Sequence, residues 1–357
     1  MKLFACTSCA APLHFEDAAC PQCAARLGFD PQRLTLLALA LDGAVWRPLG
    51  EPDGRAYLFC ANAAYGACSW LLPAETGEES RFCLACRHNH VIPDLTQETN
   101  LVRWRKIEAA KKRLFYTLLA LDLPLTRRPE DPHGLAFDFL ADSSAAGAPG
   151  VMTGHDNGLV TLAITEADDA EREARRSAMA EPYRTLLGHL RHEVGHYYWT
   201  KLVEEPGAQA SFRALFGDER TDYGAALQRH YAEGPPPDWA TRHVSAYATA
   251  HAWEDWAETF AHYLHMVDTL ETAAAFGLRL RPRIPGGEDL HTDVRFDPHH
   301  EPDLGRLTDA WGPLTFAVNA LNRSMGQPDL YPFTLAPAAV EKLAFVHARV
   351  RAARTGG

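Results

Sequence analysis

The amino-acid sequence predicts an α+β fold in two parts. Residues 1–95 form a cysteine-rich region, and residues 96–357 form a mainly helical domain with a small β-sheet. Three observations support this prediction. All eight cysteines lie between Cys6 and Cys86. Apolar residues recur at helical spacing around His192 and His196. Residues 159–164 are aliphatic and β-branched, which is typical of a strand.

The composition restricts the class of protein. The 357 residues are 46% hydrophobic and 23% charged, as in ordinary globular proteins. A formal net charge of −11 disfavours nucleic-acid binding, which needs a basic surface. The longest apolar run, residues 36–41, is far shorter than a membrane-spanning helix of about 18 residues or more. The N-terminus lacks the apolar segment of a secretion signal. We therefore expect a cytoplasmic protein that does not contact membranes.

The first four cysteines form two CxxC pairs, Cys6 with Cys9 and Cys20 with Cys23. Each pair can form a tight turn that directs two thiolates at one ion. Four thiolates surround Zn²⁺ completely, so the site would be structural rather than catalytic. The spacing predicts a zinc ribbon whose folding depends on the metal.

The remaining cysteines form a second predicted zinc site. Its members are Cys60, Cys68, Cys83 and Cys86. The last two form a CxxC pair, whereas the first two are more widely spaced and need a loop. His88 and His90 lie nearby and could replace one cysteine, but four cysteines leave no thiol unused. For both sets, the alternative is reduced cysteines without metal.

A basic segment follows the cysteines. We predict a helix over residues 101–121, ended by Pro124. Its basic residues are Arg103, Arg105, Lys106, Lys111, Lys112 and Arg113. Interleaved apolar residues make the helix amphipathic, and a solvated basic face is the favoured interpretation. Zinc ribbons often dock nucleic acids or proteins, and the acidic composition here favours a protein partner or a purely structural role.

The helix predicted around residues 184–201 carries the pattern HExxH. On a helix, His192 and His196 share one face, so both imidazoles can bind one metal ion. Glu193 lies beside that face and can take a proton from an attacking water. Gly195 has no side chain, which lets another element approach closely. This combination is typical of zincin proteases.

A catalytic zinc site needs a third protein ligand. Metzincins supply it by extending the motif, but the required Gly and His positions hold Trp199 and Leu202 here. The best candidate is Glu254, on a segment with an apolar stripe of helical spacing. Glu258, one turn later, would accept the other imidazole N–H of a ligating histidine and orient its ring.

Rival third ligands stay open at this point. Glu219 lies closer to the motif in sequence, and His262 and His265 follow Glu254 on the same predicted helix. Asp255 is adjacent but points to a different face.

The two motifs, HEVGH and EDWAETF, resemble those of the gluzincin group that includes anthrax lethal factor. Over most of its length the chain resembles bacterial zinc-binding metallopeptidases with an N-terminal zinc-ribbon region. The matching stretches are residues 57–62, 153–158, 188–199 and 253–265. This resemblance implies a zincin-like fold and assigns Tyr247, two helical turns before Glu254, to oxyanion stabilisation. An insertion at residues 212–239 would fill the long separation between His196 and Glu254.

We therefore expect a zinc-dependent metallopeptidase with one catalytic and two structural Zn²⁺ ions, acting on a peptide or protein substrate. Residues 159–164 are either an edge strand that pairs with an extended substrate or a plain core strand. The alternative function is a zinc-ribbon regulatory protein with a protein or nucleic-acid partner and a vestigial or structural zincin site. Glu193 argues against it, because a structural site needs no general base.

Overall fold

The computed structural model describes residues 2–51, 54–76, 81–141, 151, 153–178 and 185–354. The chain divides into two compact units. The first comprises Met1–Ala120 and Leu125–Ala174, and the second comprises Leu121–Pro124 and Arg175–Gly357. The predicted loop at residues 141–150 lies almost wholly outside the described residues. The domain boundary after residue 95 stays a prediction. None of the helices in the described ranges is long and apolar enough to span a membrane.

The first unit is a mixture of small sheets and one long helix. Its strands are β1 (Phe4–Ala5), β2 (Pro12–Leu13), β3 (Arg26–Asp30), β4 (Thr35–Asp42), β5 (Val45–Pro48), β6 (Tyr57–Phe59), β7 (Leu71–Pro73), β8 (Asn89–Val91), β9 (Ala136–Leu140), β10 (Gly154–Asp156) and β11 (Leu159–Ala163). Helix α1 (Glu98–Ala120) matches the predicted helix closely. β1 pairs with β2, β3 to β7 form an antiparallel meander, and the third sheet has the order β10-β11-β9-β8.

The longest apolar run lies in β4 and is part of a core. Residues 36–39 are buried, whereas Leu41 is 63% exposed at the end of the strand. Leu37 and Leu39 pack with Tyr57 and Leu71 of the neighbouring strands. Burying these side chains supplies about 1.5–3 kcal/mol each. The run is therefore a core strand, as expected from its length.

The predicted strand at residues 159–164 is β11, and it is not an edge strand. It pairs antiparallel with β10 on one side and parallel with β9 on the other. Residues 159–161 therefore have strand partners on both sides, and β10 lies at this edge of the sheet, which corrects the edge-strand interpretation and leaves the plain core strand. Residues 154–158 have the sequence GHDNG, which predicts a turn, and the observed turn is shorter. Asn157 and Gly158, with φ of 46° and 84°, make a two-residue turn after β10.

The second unit is mainly helical. Its helices are α3 (Leu186–Trp199), α4 (Gln209–Phe216), α5 (Tyr223–Glu233), α6 (Ala252–Ala275), α7 (Leu304–Ser324) and α8 (Pro337–Arg354). Helix α2 (Asp169–Ala178) contains the division between the units. Strands β12 (Arg279–Leu280) and β13 (Thr292–Asp293) pair antiparallel. The two units together give the mixed α+β structure that the sequence predicts.

Helices α3 and α6 approach each other closely at Gly195. A Cβ atom there would lie 3.0 Å from the Cα of Ala257, tighter than ordinary packing allows. The indole Nε1 of buried Trp256 also donates to the Gly195 carbonyl at 2.8 Å. The predicted close approach at Gly195 is confirmed. It places the helix carrying HExxH against the helix carrying Glu254 and Glu258.

Candidate metal centres

Helices α3 and α6 bring His192, His196 and Glu254 together. The two Nε2 atoms lie 3.3 Å apart. Glu254 Oε2 lies 3.0 Å from His192 Nε2, and Glu254 Oε1 lies 3.5 Å from His196 Nε2. His192 and His196 are four residues apart and therefore share one face of α3. Glu254 approaches that face from the neighbouring helix α6.

These separations fit the ligand shell of one zinc ion. A tetrahedral zinc with nitrogen and oxygen ligands at about 2.0–2.1 Å places those ligands about 3.3 Å apart. The buried Oε2 of Glu254 makes no hydrogen bond within the described part of the chain, although it lies 3.0 Å from His192 Nε2. Two atoms that bind the same metal ion lie close together without a hydrogen bond between them, as Glu254 Oε2 and His192 Nε2 do.

His192 lies between two carboxylates. Its Nδ1 contacts Glu258 Oε1 at 2.7 Å, while its Nε2 faces Glu254. Burial opposes a positive charge on this ring, but the two carboxylates outweigh burial and raise the pKa of His192 well above its usual value. The pocket therefore stabilises positive charge beside His192. Glu258 occupies the position predicted for the residue that orients a ligating histidine.

Glu193 is buried beside the cluster, and its charge is maintained. Burial alone would raise its pKa, but His189, His192 and His196 lower the pKa of Glu193 below its usual value. His189 Nε2 lies 3.2 Å from Glu193 Oε1. His189 therefore contacts the predicted general base.

Tyr247 begins a short 3₁₀ helix, Tyr247–Thr249, that precedes α6. Its ring lies 5.9 Å from the ring of His192, centroid to centroid. Burial and the nearby charge of Glu254 raise the pKa of Tyr247, so its hydroxyl stays protonated. It can therefore donate a hydrogen bond at this site.

The rival third ligands have other partners. Glu219 forms an ion pair with Arg213, whose Nη2 lies 2.5 Å away. Asp255 contacts Lys342 Nζ at 2.5 Å. His262 Nδ1 contacts the Tyr331 hydroxyl at 2.7 Å, and His265 Nδ1 contacts Arg191 at 2.6 Å. Glu254 is the candidate that faces both histidines.

The first four cysteines also converge. Cys6 Sγ lies 3.7 Å from Cys23 Sγ, and Cys9 Sγ lies 3.6 Å from Cys20 Sγ. Zinc–sulfur bonds of about 2.3 Å in a tetrahedron predict sulfur separations of about 3.8 Å. The cluster is open to solvent on one side, where Cys23 is exposed. The donor set fits a closed zinc site.

The second cysteine cluster is completely buried. Cys60, Cys68, Cys83 and Cys86 come together, with Cys68 Sγ and Cys83 Sγ 3.7 Å apart. The group of converging donors comprises the four cysteines without His88, whose Nδ1 lies 2.8 Å from the Leu135 carbonyl. His90 is outside the cluster as well and contacts Asp138.

Two lysines of α1 correct the prediction of a solvated basic face. Lys111 and Lys112 are buried with Glu108. Lys112 Nζ donates to Cys86 Sγ at 3.1 Å and to Glu108 at 2.5 Å. Burial alone would raise the pKa of Glu108, but the two lysines lower it to about 2. The physical reason is charge compensation: an ammonium group balances a cluster of thiolates away from water.

Asp268, Glu271 and His299 form another buried group with metal-type side chains. Arg191 pairs with the Asp268 carboxylate. His299 Nε2 lies 3.3 Å from Asp268 Oδ1. Because a guanidinium group already compensates this carboxylate, we assign no metal ion here.

Tyr223, at the start of α5, was missed by the sequence reasoning. Its hydroxyl donates to Glu254 Oε1 at 2.7 Å. The residue lies in the predicted insertion at 212–239, which was taken only as spacer. No short-range spacing relates it to Glu254, so no sequence pattern could have found it.

Two family profiles and several relatives match the chain. A family profile described as "Putative zinc-binding metallo-peptidase" matches residues 100–349, and a zinc-ribbon domain profile matches residues 3–97. Uncharacterized proteins from two Mycobacterium tuberculosis strains and from Mycobacterium bovis are 42% identical over 354 residues. That alignment covers 97% of this chain and 94% of each relative. No solved structure matches the chain significantly.

Proposed function

Since the chain belongs to the zinc-binding metallo-peptidase family, we propose that it hydrolyses peptide bonds at the cluster of His192, His196 and Glu254. The observation that supports this most strongly is the convergence of the three side chains: the two Nε2 atoms lie 3.3 Å apart, and the Glu254 carboxylate approaches them to 3.0 and 3.5 Å with one oxygen each. This spacing suits a zinc ion with three protein ligands and a fourth position for water. When bound, zinc would make that water more acidic and polarise the substrate carbonyl.

Glu193 is the proposed general base. Its lowered pKa keeps the carboxylate ionised at neutral pH, so it can accept a proton from the attacking water. It would then return that proton to the leaving amine. His189 contacts the carboxylate and would limit its movement between these two steps.

Tyr247 and Glu258 have supporting roles in this proposal. Tyr247 would donate a hydrogen bond to the oxyanion that develops as the carbonyl is attacked, which is worth about 3 kcal/mol. Glu258 holds Nδ1 of His192 and leaves Nε2 directed at the metal. The lethal factor resemblance suggested the role of Tyr247, and its ring position beside His192 supports it.

The two cysteine clusters are the proposed structural zinc sites. Sulfur separations of 3.6 to 3.7 Å fit four-thiolate coordination in both. The loaded protein would then contain three zinc ions, one catalytic and two structural. The ribbon region could also dock a protein partner, which stays a prediction from the sequence.

The test combines zinc content with hydrolysis of a peptide library by the wild type, Glu193→Gln and Glu254→Ala. We expect Glu193→Gln to keep all its zinc and lose activity by about 10²- to 10⁴-fold. Glu254→Ala should lose the third zinc. Glu204→Gln, at an exposed position beyond α3, is the matched control and should behave like wild type.

Unchanged hydrolysis in Glu193→Gln would exclude the mechanism. Full zinc content in Glu254→Ala would exclude the ligand assignment. Zinc-loaded wild type that cleaves no member of the library would favour the regulatory alternative, in which the site is vestigial.

A further inference from the structure

The two oxygens of the Glu254 carboxylate have different surroundings. Oε1 accepts a hydrogen bond from the Tyr223 hydroxyl at 2.7 Å. Oε2 has no hydrogen bond within the described residues and faces His192 Nε2 at 3.0 Å. Since Glu254 is only 1% exposed, water does not equalise the two oxygens. Oε1 also lies 3.5 Å from His196 Nε2. Each oxygen therefore faces one histidine, but only Oε1 is held by a hydrogen bond from the protein.

Helix α5, which carries Tyr223, is not held in place by apolar burial. None of its residues is buried, and Tyr223 itself is 37% exposed. Polar contacts join this segment to the residues before α6. His251 Nε2 lies 3.2 Å from the Thr221 carbonyl, and Thr249 Oγ1 lies 3.3 Å from His230 Nδ1. Both contacts join the α5 segment to residues that precede Glu254 in the chain.

The ring of Tyr223 contacts two aromatic rings at the N-terminal end of α6. It lies 5.2 Å from the His251 ring and 6.2 Å from the Trp253 ring, centroid to centroid. A tyrosine hydroxyl is a hydrogen-bond donor at neutral pH. Its 2.7 Å hydrogen bond to Oε1 can restrain the carboxylate at that oxygen.

We propose that Tyr223 is a positioning residue that makes Glu254 a one-oxygen ligand. This inference rests on the proposed function, because it assigns a zinc ion to Glu254 and the two histidines. A carboxylate can bind a metal through one oxygen or through both. The hydrogen bond to Oε1 restrains that oxygen and leaves Oε2 for the ion. The fourth position then stays open for water.

This role differs from that of Tyr247. Tyr223 donates its hydroxyl to Glu254, whereas the ring of Tyr247 lies 5.9 Å from the ring of His192. In the proposal, Tyr223 therefore holds a ligand, and Tyr247 keeps the oxyanion role that the resemblance suggested.

The first measurement is the zinc affinity of Tyr223→Phe, determined by competition with a chromophoric chelator. The substitution removes one hydroxyl and keeps the ring that packs against His251 and Trp253. We expect zinc to bind about 10- to 100-fold more weakly at this site, as is typical when a partner of a metal ligand is lost. The cysteine sites should keep their zinc. Tyr231→Phe removes a hydroxyl from the same helix at a 62% exposed residue and should leave the affinity unchanged.

The second measurement uses Co²⁺ in place of zinc at this site, with zinc left in the cysteine clusters. Absence of thiolate-to-cobalt absorption verifies selective loading. Two-oxygen ligation raises the coordination number and weakens the visible absorption of each Co²⁺, so Tyr223→Phe should absorb less than wild type. Equal affinity and an equal spectrum would overturn the role of Tyr223 and leave the proposed function intact. A wild type that binds neither metal at this site would overturn both.

Discussion

The cysteine clusters of the first unit and the His192, His196 and Glu254 cluster of the second differ in how completely they would enclose a metal ion. Each cysteine cluster presents four sulfur donors, and in the second one all four cysteines are buried. The histidine cluster presents three donors, with Glu193 and Tyr247 beside them. Four donors complete a tetrahedron around zinc, whereas three leave a position for a reactant.

The groups that surround the second cysteine cluster also differ from those that surround the histidine cluster. Lys112 and the backbone N–H groups of Trp70 and Cys83 contact sulfur atoms of the second cysteine cluster. These are donor groups that suit thiolates. Around the histidine cluster, the neighbouring groups are the carboxylate of Glu193 and two tyrosines, which would suit proton transfer. In our proposal, the number of donors and the chemistry of the surroundings distinguish the structural sites from the catalytic one.

The largest expected effect is that of metal removal. Zinc binding contributes about 10–16 kcal/mol to the folding of small cysteine-rich zinc peptides, comparable to the whole stability of a domain. We expect a strong chelator to remove the histidine-site zinc first, with the second unit staying folded around Trp256 and its neighbours. Later loss of the cysteine-bound zinc should unfold residues 3–97. Both steps are measured by following zinc release and amide hydrogen exchange in the same experiment.

Two outcomes would contradict this predicted order of zinc loss. Simultaneous release of all the zinc would remove the distinction between closed and open sites. Unfolding of the second unit on loss of the first zinc would make the histidine site structural.

The next effect concerns Lys112. Its replacement in Lys112→Met leaves the Cys86 thiolate without its ammonium partner and Glu108 with Lys111 alone. Breaking a buried ion pair in this way costs about 3–5 kcal/mol of the free energy of unfolding. We expect urea to release zinc from the second cysteine cluster at a clearly lower concentration. Lys106→Met, on the same helix at a side chain 49% exposed, should cost less than about 1 kcal/mol. Equal effects of the two substitutions would show that burial of the charge is unimportant.

The smallest effect is that of Glu258→Gln. The change removes the charge that supports Nδ1 of His192 but keeps a side chain of the same size. We expect zinc affinity or activity to fall about 10- to 100-fold at the histidine site. The zinc in the cysteine clusters is the internal control and should not change. Wild-type affinity together with wild-type activity would exclude a supporting role for Glu258.

The sequence predicted the parts of the site that depend on local spacing. His192 and His196, and likewise Glu254 and Glu258, are four residues apart, and helical geometry alone puts each pair on one face. Gly195 also indicated a close helix contact, which the approach to Ala257 confirms. These features need no knowledge of distant partners.

The features that the sequence did not predict depend on long-range partners. Lys111 and Lys112 were expected in solvent, since a lysine without a known partner is rarely buried. Only the fold places Glu108 and Cys86 beside them. β11 was an equal candidate for an edge strand because sequence does not reveal that β10 pairs with it. Tyr223 contacts Glu254, but the segment that carries Tyr223 has no sequence pattern that predicts this contact.

The most direct test of an open catalytic zinc is X-ray anomalous scattering at the zinc edge from crystals of the metal-loaded protein. We expect three zinc peaks, with one between His192 Nε2, His196 Nε2 and Glu254 Oε2 and a water as the fourth ligand there. The other two peaks should lie within the cysteine clusters. No peak between the histidines, or a fourth protein ligand in place of water, would contradict the proposal.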